Sequence, residues 1–214
     1  DSVTELGEQA FRGCEALQEI VLPVSTKYST WWDEWVARQF ATFEGVHVNK
    51  ITFTKGMGET FVPDHGNNDH SITQYSKETL TTVEFEEGVE EIYESTLNDC
   101  NNITSITLPE SLKRIGAYAF YNCSGWDGEL YLPENLESIG TAAFSGCSSL
   151  TGDVRIPSNL KEISESVFSG CSSLNGNIIL NDVVEKIGSS AFSGCSGITG
   201  SLELAESLTE IGSS

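Results

Sequence analysis

The sequence predicts an α/β solenoid, and three observations predict it. Cysteine recurs at Cys100, Cys123, Cys147, Cys171 and Cys195, in steps of 23, 24, 24 and 24. One phrase returns around it, as in Ala143-Phe144-Ser145-Gly146-Cys147-Ser148-Ser149-Leu150 and Ala191-Phe192-Ser193-Gly194-Cys195-Ser196-Gly197-Ile198. Two apolar residues separated by one polar residue follow each phrase, the spacing of a strand with one buried face. Self-similarity at this period marks a stack in which each repeat packs on its neighbours. The expected result is one sheet of about eight parallel strands at roughly 4.8 Å spacing, with short helical or 3₁₀ turns on the opposite side.

The segment Leu160 to Leu180 justifies each element. Leu160 and Ile163 are three apart, and Val167-Phe168 follows; this spacing suits a short helical turn. Cys171 and Leu174 close the bend. Ile178 and Leu180 alternate with polar residues and form the strand. The preceding repeat carries Leu136, Ile139, Ala143-Phe144, Cys147, Leu150, Val154 and Ile156 at the same places. Gly128, Gly152, Gly176 and Gly200 enter before the strand and account for the change from 23 to 24 residues. Pro23, Pro109, Pro133 and Pro157 follow the strand, where a residue without an amide proton ends a ladder. Asn181 and Ala205 replace proline in the last two repeats.

Residues 24–79 lack the phrase. Val48, Ile51 and Phe53 nevertheless keep the offsets of Leu17, Ile20 and Leu22, and Leu80, Val83 and Phe85 keep them again. The chain therefore reads as a single solenoid over 1–214. Residues 1–23 are a regular repeat, 24–79 are two divergent repeats with longer back-side segments, and 80–214 are regular repeats with the last one truncated. A chain that opens at Asp1 without Met and closes on half a repeat is read as a fragment, with any export signal or anchor outside it.

All six cysteines, Cys14 included, occupy one slot of the repeat. Stacked neighbours point their side chains the same way, whereas a disulfide needs two converging Cβ vectors. A buried row of free thiols is expected, behaving as small hydrophobes that also donate weakly to backbone at the bend.

The formal charge is −21, from 32 acidic and 11 basic residues. Nucleic acid needs clusters of Lys and Arg, so it is excluded as a partner, and anionic lipid is disfavoured for the same reason. No apolar run is long enough to span a bilayer. No Gly-x-Ser-x-Gly, phosphate-binding loop or zinc pattern occurs, so catalysis is not expected and no cofactor is implied. The loop from Asp64 to His70 holds two His and two Asp, but its spacing fits no metal motif, and a solvated loop is the better reading. Asn102-Ile103-Thr104 and Asn122-Cys123-Ser124 match the glycan acceptor triplet but overlap the buried row.

The phrase Leu-x-x-Ile-x-x-x-Ala-Phe-x-x-Cys-x-x-Leu, with a strand ending in Pro, resembles the BspA-type leucine-rich repeat. Leu112, Ile115, Ala119, Phe120, Cys123 and Pro133 carry the likeness, and Leu136, Ile139, Ala143, Phe144, Cys147, Leu150 and Pro157 carry it again. Leu97 for Phe, Val167 for Ala and Trp126 in a Leu slot are the departures. The resemblance implies a leucine-rich repeat array, a bacterial surface or secreted location, and adhesion to a protein partner such as host extracellular matrix. It carries over no catalytic residue.

Outward-facing strand residues form two candidate columns. One contains Glu129, Asp153 and Asn177; the other contains Tyr131, Arg155 and Ile179. The second trio places an aromatic, a guanidinium and an aliphatic group side by side, with Tyr and Arg enriched at binding hot spots. A secondary candidate is Trp31, Trp32 and Trp35, where Trp31 and Trp35 share a helix face; exposed, they would stack on sugar rings. Three readings follow: a protein-binding surface module, a spacer displaying another domain, and a glycan-binding surface protein.

Overall fold

The computed structural model describes residues 11–23, 46–55, 73 and 76–213. The alternating apolar pairs form strands. β1 (Glu19–Pro23), β2 (Lys50–Thr54), β3 (Thr82–Phe85) and β5 (Ser105–Thr107) make a parallel four-stranded sheet in that order. Its register sets Ile20 beside Ile51 and Leu22 beside Phe53, then Ile51 beside Val83 and Phe53 beside Phe85. These are the pairings that the shared offsets predict. Further along lie two shorter groups: β7 (Gly128–Glu129) with β9 (Leu150–Thr151), and β10 (Val154–Arg155), β12 (Ile178–Ile179) and β14 (Leu202–Glu203).

The expectation of one eight-stranded sheet is thus corrected, because the front ladder is divided in three. The cause lies at the inserted glycines. Gly128 and Gly152 both hold a positive φ, of 92° and 79°, and Gly128 pairs with Leu150 instead of Gly152. That slip takes Leu130–Leu132 out of the ladder among the described residues. The core is untouched: Leu130, Leu132, Val154 and Ile156 all stay buried.

The expected helical or 3₁₀ turns are corrected too. Among the described residues of the regular repeats no helix occurs; Thr73 and Ser76, in the divergent stretch, are helical. The Leu-x-x-Ile segment is instead a tight turn followed by a second parallel ladder. Leu112, Leu136 and Leu160 donate their amides to Pro109, Pro133 and Pro157, each at 3.1 Å. The isoleucines then enter two-residue strands. β4 (Glu91–Ile92), β6 (Arg114–Ile115) and β8 (Ser138–Ile139) form one sheet; β11 (Glu162–Ile163), β13 (Lys186–Ile187) and β15 (Glu210–Ile211) form another. β-Branched Ile suits a strand better than a helical turn.

This second ladder is interrupted once, at a residue substitution within the repeat. Gly116, Gly140, Gly188 and Gly212 follow the isoleucines and donate to Ile92, Ile115, Ile163 and Ile187 at 2.7 to 2.8 Å. A Cβ at Gly140 would stand 2.3 Å from the Ala117 nitrogen, so the slot tolerates only close backbone approach. Tyr93 holds the slot at the first strand, and Ser164 holds the one between Gly140 and Gly188. The Ser164 hydroxyl, at 2.6 Å, takes the Ile139 carbonyl that an amide would otherwise reach, and β8 and β11 part there.

A third row, in the Ala-Phe turns, runs past this break. Phe120 donates to Ala143, Phe144 to Val167 and Phe168 to Ala191, at 2.8 to 3.0 Å. Inside it the rings of Phe120, Phe144, Phe168 and Phe192 stack face to face at 5.2, 5.6 and 5.4 Å. Leu97 occupies the same slot one repeat earlier and is fully buried. One hydrophobic cluster extends from Val46 to Ala191, so packing, not the sheets, makes the stack continuous.

Candidate functional site

The strand face presents its polar residues through the alternation that buries Val154, Ile178 and their counterparts. Register sets Arg155 beside Ile179 and Ile179 beside Glu203. Tyr131 projects from the slipped segment with 58% of its surface exposed. Its hydroxyl donates to Glu110 Oε1 at 2.6 Å, and that hydrogen bond, with the carboxylate charge behind it, pushes the phenol up from its ordinary value. Glu110 was not anticipated from the sequence; it follows Pro109 at the start of the turn one repeat before Tyr131.

Arg155 is exposed and bonds Asp153 Oδ2 at 2.6 Å. Asp153 Oδ1 accepts from the Asn177 amide at 2.8 Å and from its side chain at 3.0 Å. The Asn177 backbone amide, then its side chain, hold the Asp153 carboxyl below the usual range, with Arg155 adding to the effect. Asn177 Oδ1 in turn accepts from the Ser201 amide at 3.0 Å. Asp153 and Asn177 therefore cap the next repeat, leaving Tyr131, Arg155 and Ile179 to face outward.

One adjacency is corrected by the slip at Gly128. Glu129 pairs with Thr151, not with Asp153, and its side chain lies over Gly152. Tyr131 and Arg155 each engage their own carboxylate and do not share a ladder row. Trp31, Trp32 and Trp35 lie outside the described residues, as does the 64–70 loop.

All six cysteines are free thiols. Cys123, Cys147, Cys171 and Cys195 donate to the carbonyls of Leu97, Phe120, Phe144 and Phe168 at 3.2, 3.1, 3.2 and 3.0 Å. Burial pushes Cys100 and Cys147 up to about 12, so these thiols are poor nucleophiles and poor metal ligands. Among the described residues no three His, Cys, Asp or Glu side chains converge to hold a metal ion. Asn102 is tied to the Glu78 carbonyl and Asn122 to Asp99 Oδ1. No described helix is long and apolar enough to cross a membrane.

Recurrent strand, turn and thiol ladders of this kind define a leucine-rich repeat protein. More particularly, the family described as BspA type leucine-rich repeat region matches residues 1–32, 70–175 and 127–214, in 6 copies, and the chain belongs to it. Proteins of this family are typically surface or protein-interaction modules, and generally non-catalytic. No curated protein matches the chain. Among solved structures it is similar to the T. pallidum leucine-rich repeat protein, with 24% identity and a TM-score of 0.57 over 92% of this chain and 72% of that one. It is also similar to a leucine-rich cell surface protein from Faecalibacterium prausnitzii A2-165, with 20% identity and a TM-score of 0.59. That match covers 92% of this chain, which spans 44% of the other.

Proposed function

We propose that this chain is a cell-surface or secreted repeat module that binds a protein partner, without catalysis. Its binding face is the strand surface around Tyr131, Arg155 and Ile179. The observation that carries the reading is the exposed Tyr131 ring on the same face as a guanidinium and an aliphatic side chain held in register. Tyr and Arg anchors of this type dominate binding energy at interfaces. The net charge of −21 favours a partner with a basic surface and a salt-sensitive encounter. Host extracellular matrix protein is the partner class, in an adhesin-like role, and the F. prausnitzii likeness supports a surface location. Residues 1–214 act as one solenoid in this reading, supported by the unbroken register from β1 to β3.

The test is binding of the purified chain to arrays of matrix proteins and glycans at two salt concentrations. A protein hit that weakens with salt, and falls about tenfold or more in Tyr131→Ala/Arg155→Ala, is expected. Unchanged affinity in that variant removes this face from the binding site. Silence on both arrays favours the spacer.

A further inference from the structure

The turn row carries a second surface, on a different side of the repeat from the strand face. In its outer column Ser95, Tyr118, Ala142, Ser166 and Ser190 all sit at positive φ, between 54° and 57°. A bulky side chain is costly in that conformation, and small residues fill the column everywhere but at Tyr118. Three residues on, Tyr121 stands in a column otherwise held by Asn98, Ser145, Ser169 and Ser193. Backbone bonds fix the alignment: Tyr118 donates to Thr141, Asn122 to Ser145, Gly146 to Ser169 and Gly170 to Ser193. The two rings meet edge to face at 5.8 Å. They remain 40% and 37% exposed, so the strained placement is not offset by burial.

Beyond this step the two columns carry Ala142, Ser145, Ser166, Ser169, Ser190 and Ser193, small and mostly hydroxyl-bearing, with Ala142 buried and the carboxylate of Glu165 exposed beside Ser166. Some serine hydroxyls are consumed internally, as Ser111 bonds Val89, Ser164 bonds Ile139 and Ser207 bonds Val184. The hydroxyls of Ser145, Ser166, Ser169, Ser190 and Ser193 hold no such bond among the described residues. Each is one donor and two acceptors turned to solvent. The repeats that carry them stack with phenylalanine rings 5.2 to 5.6 Å apart, close to the length of one hexose in an extended β-linked chain.

We propose that the Tyr118–Tyr121 step and the serine terrace beside it bind a neutral, extended polysaccharide lying along the stack. The tyrosine faces take the C–H face of a sugar ring, and the terrace exchanges hydrogen bonds with sugar hydroxyls, one ring per repeat. From Ser95 to Ser193 neither column carries a cationic side chain, and the chain has a net charge of −21, which disfavours sulfated or uronic polymers there.

Affinity electrophoresis through gels containing mixed-linkage β-glucan tests this, with dextran, chondroitin sulfate and gelatin gels in parallel. Retardation by the β-glucan alone is expected. Tyr118→Ala/Tyr121→Ala should lose it, with apparent affinity about tenfold weaker or worse, while Tyr118→Phe/Tyr121→Phe keeps most of it. Circular dichroism and thermal midpoint establish that the variants fold. Absence of retardation in β-glucan, equal retardation in the alanine variant, or retardation by gelatin or chondroitin sulfate in its place overturns the proposal. The strand-face variant Tyr131→Ala/Arg155→Ala should bind β-glucan normally, which separates this site from the protein-binding face.

Discussion

The thiol of Cys147 donates to the carbonyl of Phe120, 27 residues earlier, at 3.1 Å. The same bond joins Cys171 to Phe144 and Cys195 to Phe168, so each of these three cysteines ties its own bend to the aromatic layer of the repeat before it. Cys147→Ala removes a buried sulfur and this bond together. A loss of about 1 to 3 kcal/mol is expected in urea unfolding. Cys147→Ser, which retains a donor, should lose less; equal losses would show that the bond contributes nothing.

Alkaline pH should weaken the fold. Burial raises Cys100 and Cys147 from an ordinary 9.0 to about 12, and raises Cys123 as well. Above pH 9 the unfolded thiols lose protons that the folded ones keep, so stability is full below 9 and falls as pH climbs towards 12. Each buried thiol contributes a slope of about 1.4 kcal/mol per pH unit in that window. Urea midpoints at pH 8, 9 and 10 under reducing conditions measure it, and a flat profile would contradict the burial of the row.

Phe144 is fully buried between Phe120 and Phe168. Phe144→Ala should cost about 3 to 5 kcal/mol. Phe144→Leu should cost about 1 kcal/mol, because Leu97 already fills this slot in another repeat. Thermal midpoints of the pair decide whether the slot requires a ring or only volume.

Of the six described residues that follow the back-ladder isoleucines four are glycine; Tyr93 stands at the first strand and Ser164 in the interior of the row. Ser164→Gly should let its amide reach Ile139 and join β8 to β11. Hydrogen exchange at residue 164 would then slow, with stability changed by about 1 kcal/mol or less, since the gained bond offsets the glycine entropy. Continued fast exchange would place the cause of the break elsewhere.

Lys186 sits between Glu162 and Glu210, at 3.5 and 3.7 Å, in a row where register alone sets the three side by side. Lys186→Ala leaves two carboxylates flanking a gap. It should lower the thermal midpoint at low salt, by the equivalent of about 0.2 to 1 kcal/mol, and the difference should fade at high salt. A difference independent of salt would assign the effect to packing of the lysine stem.

The period made the buried slots legible. Cys147, Phe144 and Val154 recur because each fills a position that closes on its neighbours, and Ile20, Ile51 and Val83 could be aligned through their offsets alone. Leu136 and Ile139 misled, because a spacing of three fits a helical turn as well as a tight turn leading into a strand. The slip at Gly128 was hidden, since an inserted residue reveals its presence and not which partner it chooses. At the site, Tyr131, Arg155 and Ile179 were found by reading along strands. Asp153 and Asn177 looked equally outward, but their short side chains reach the next repeat's amides. Tyr118 and Tyr121 lie in turns, away from the strand columns, and stand out only when the turn positions are aligned across repeats, as two rings among small residues.

The ladders also set how this chain reaches its native state. Every backbone pairing in the described sheets joins residues one repeat apart, so no strand waits for a distant partner. Mean separation between paired residues is roughly a tenth of the chain length, the range of fast-folding helical bundles and below that of β-sandwiches. Structure can start wherever two neighbouring repeats first meet and spread row by row in either direction. A stack of parallel ladders of this design gathers itself locally, and the length of the array sets the number of steps without making any one of them harder.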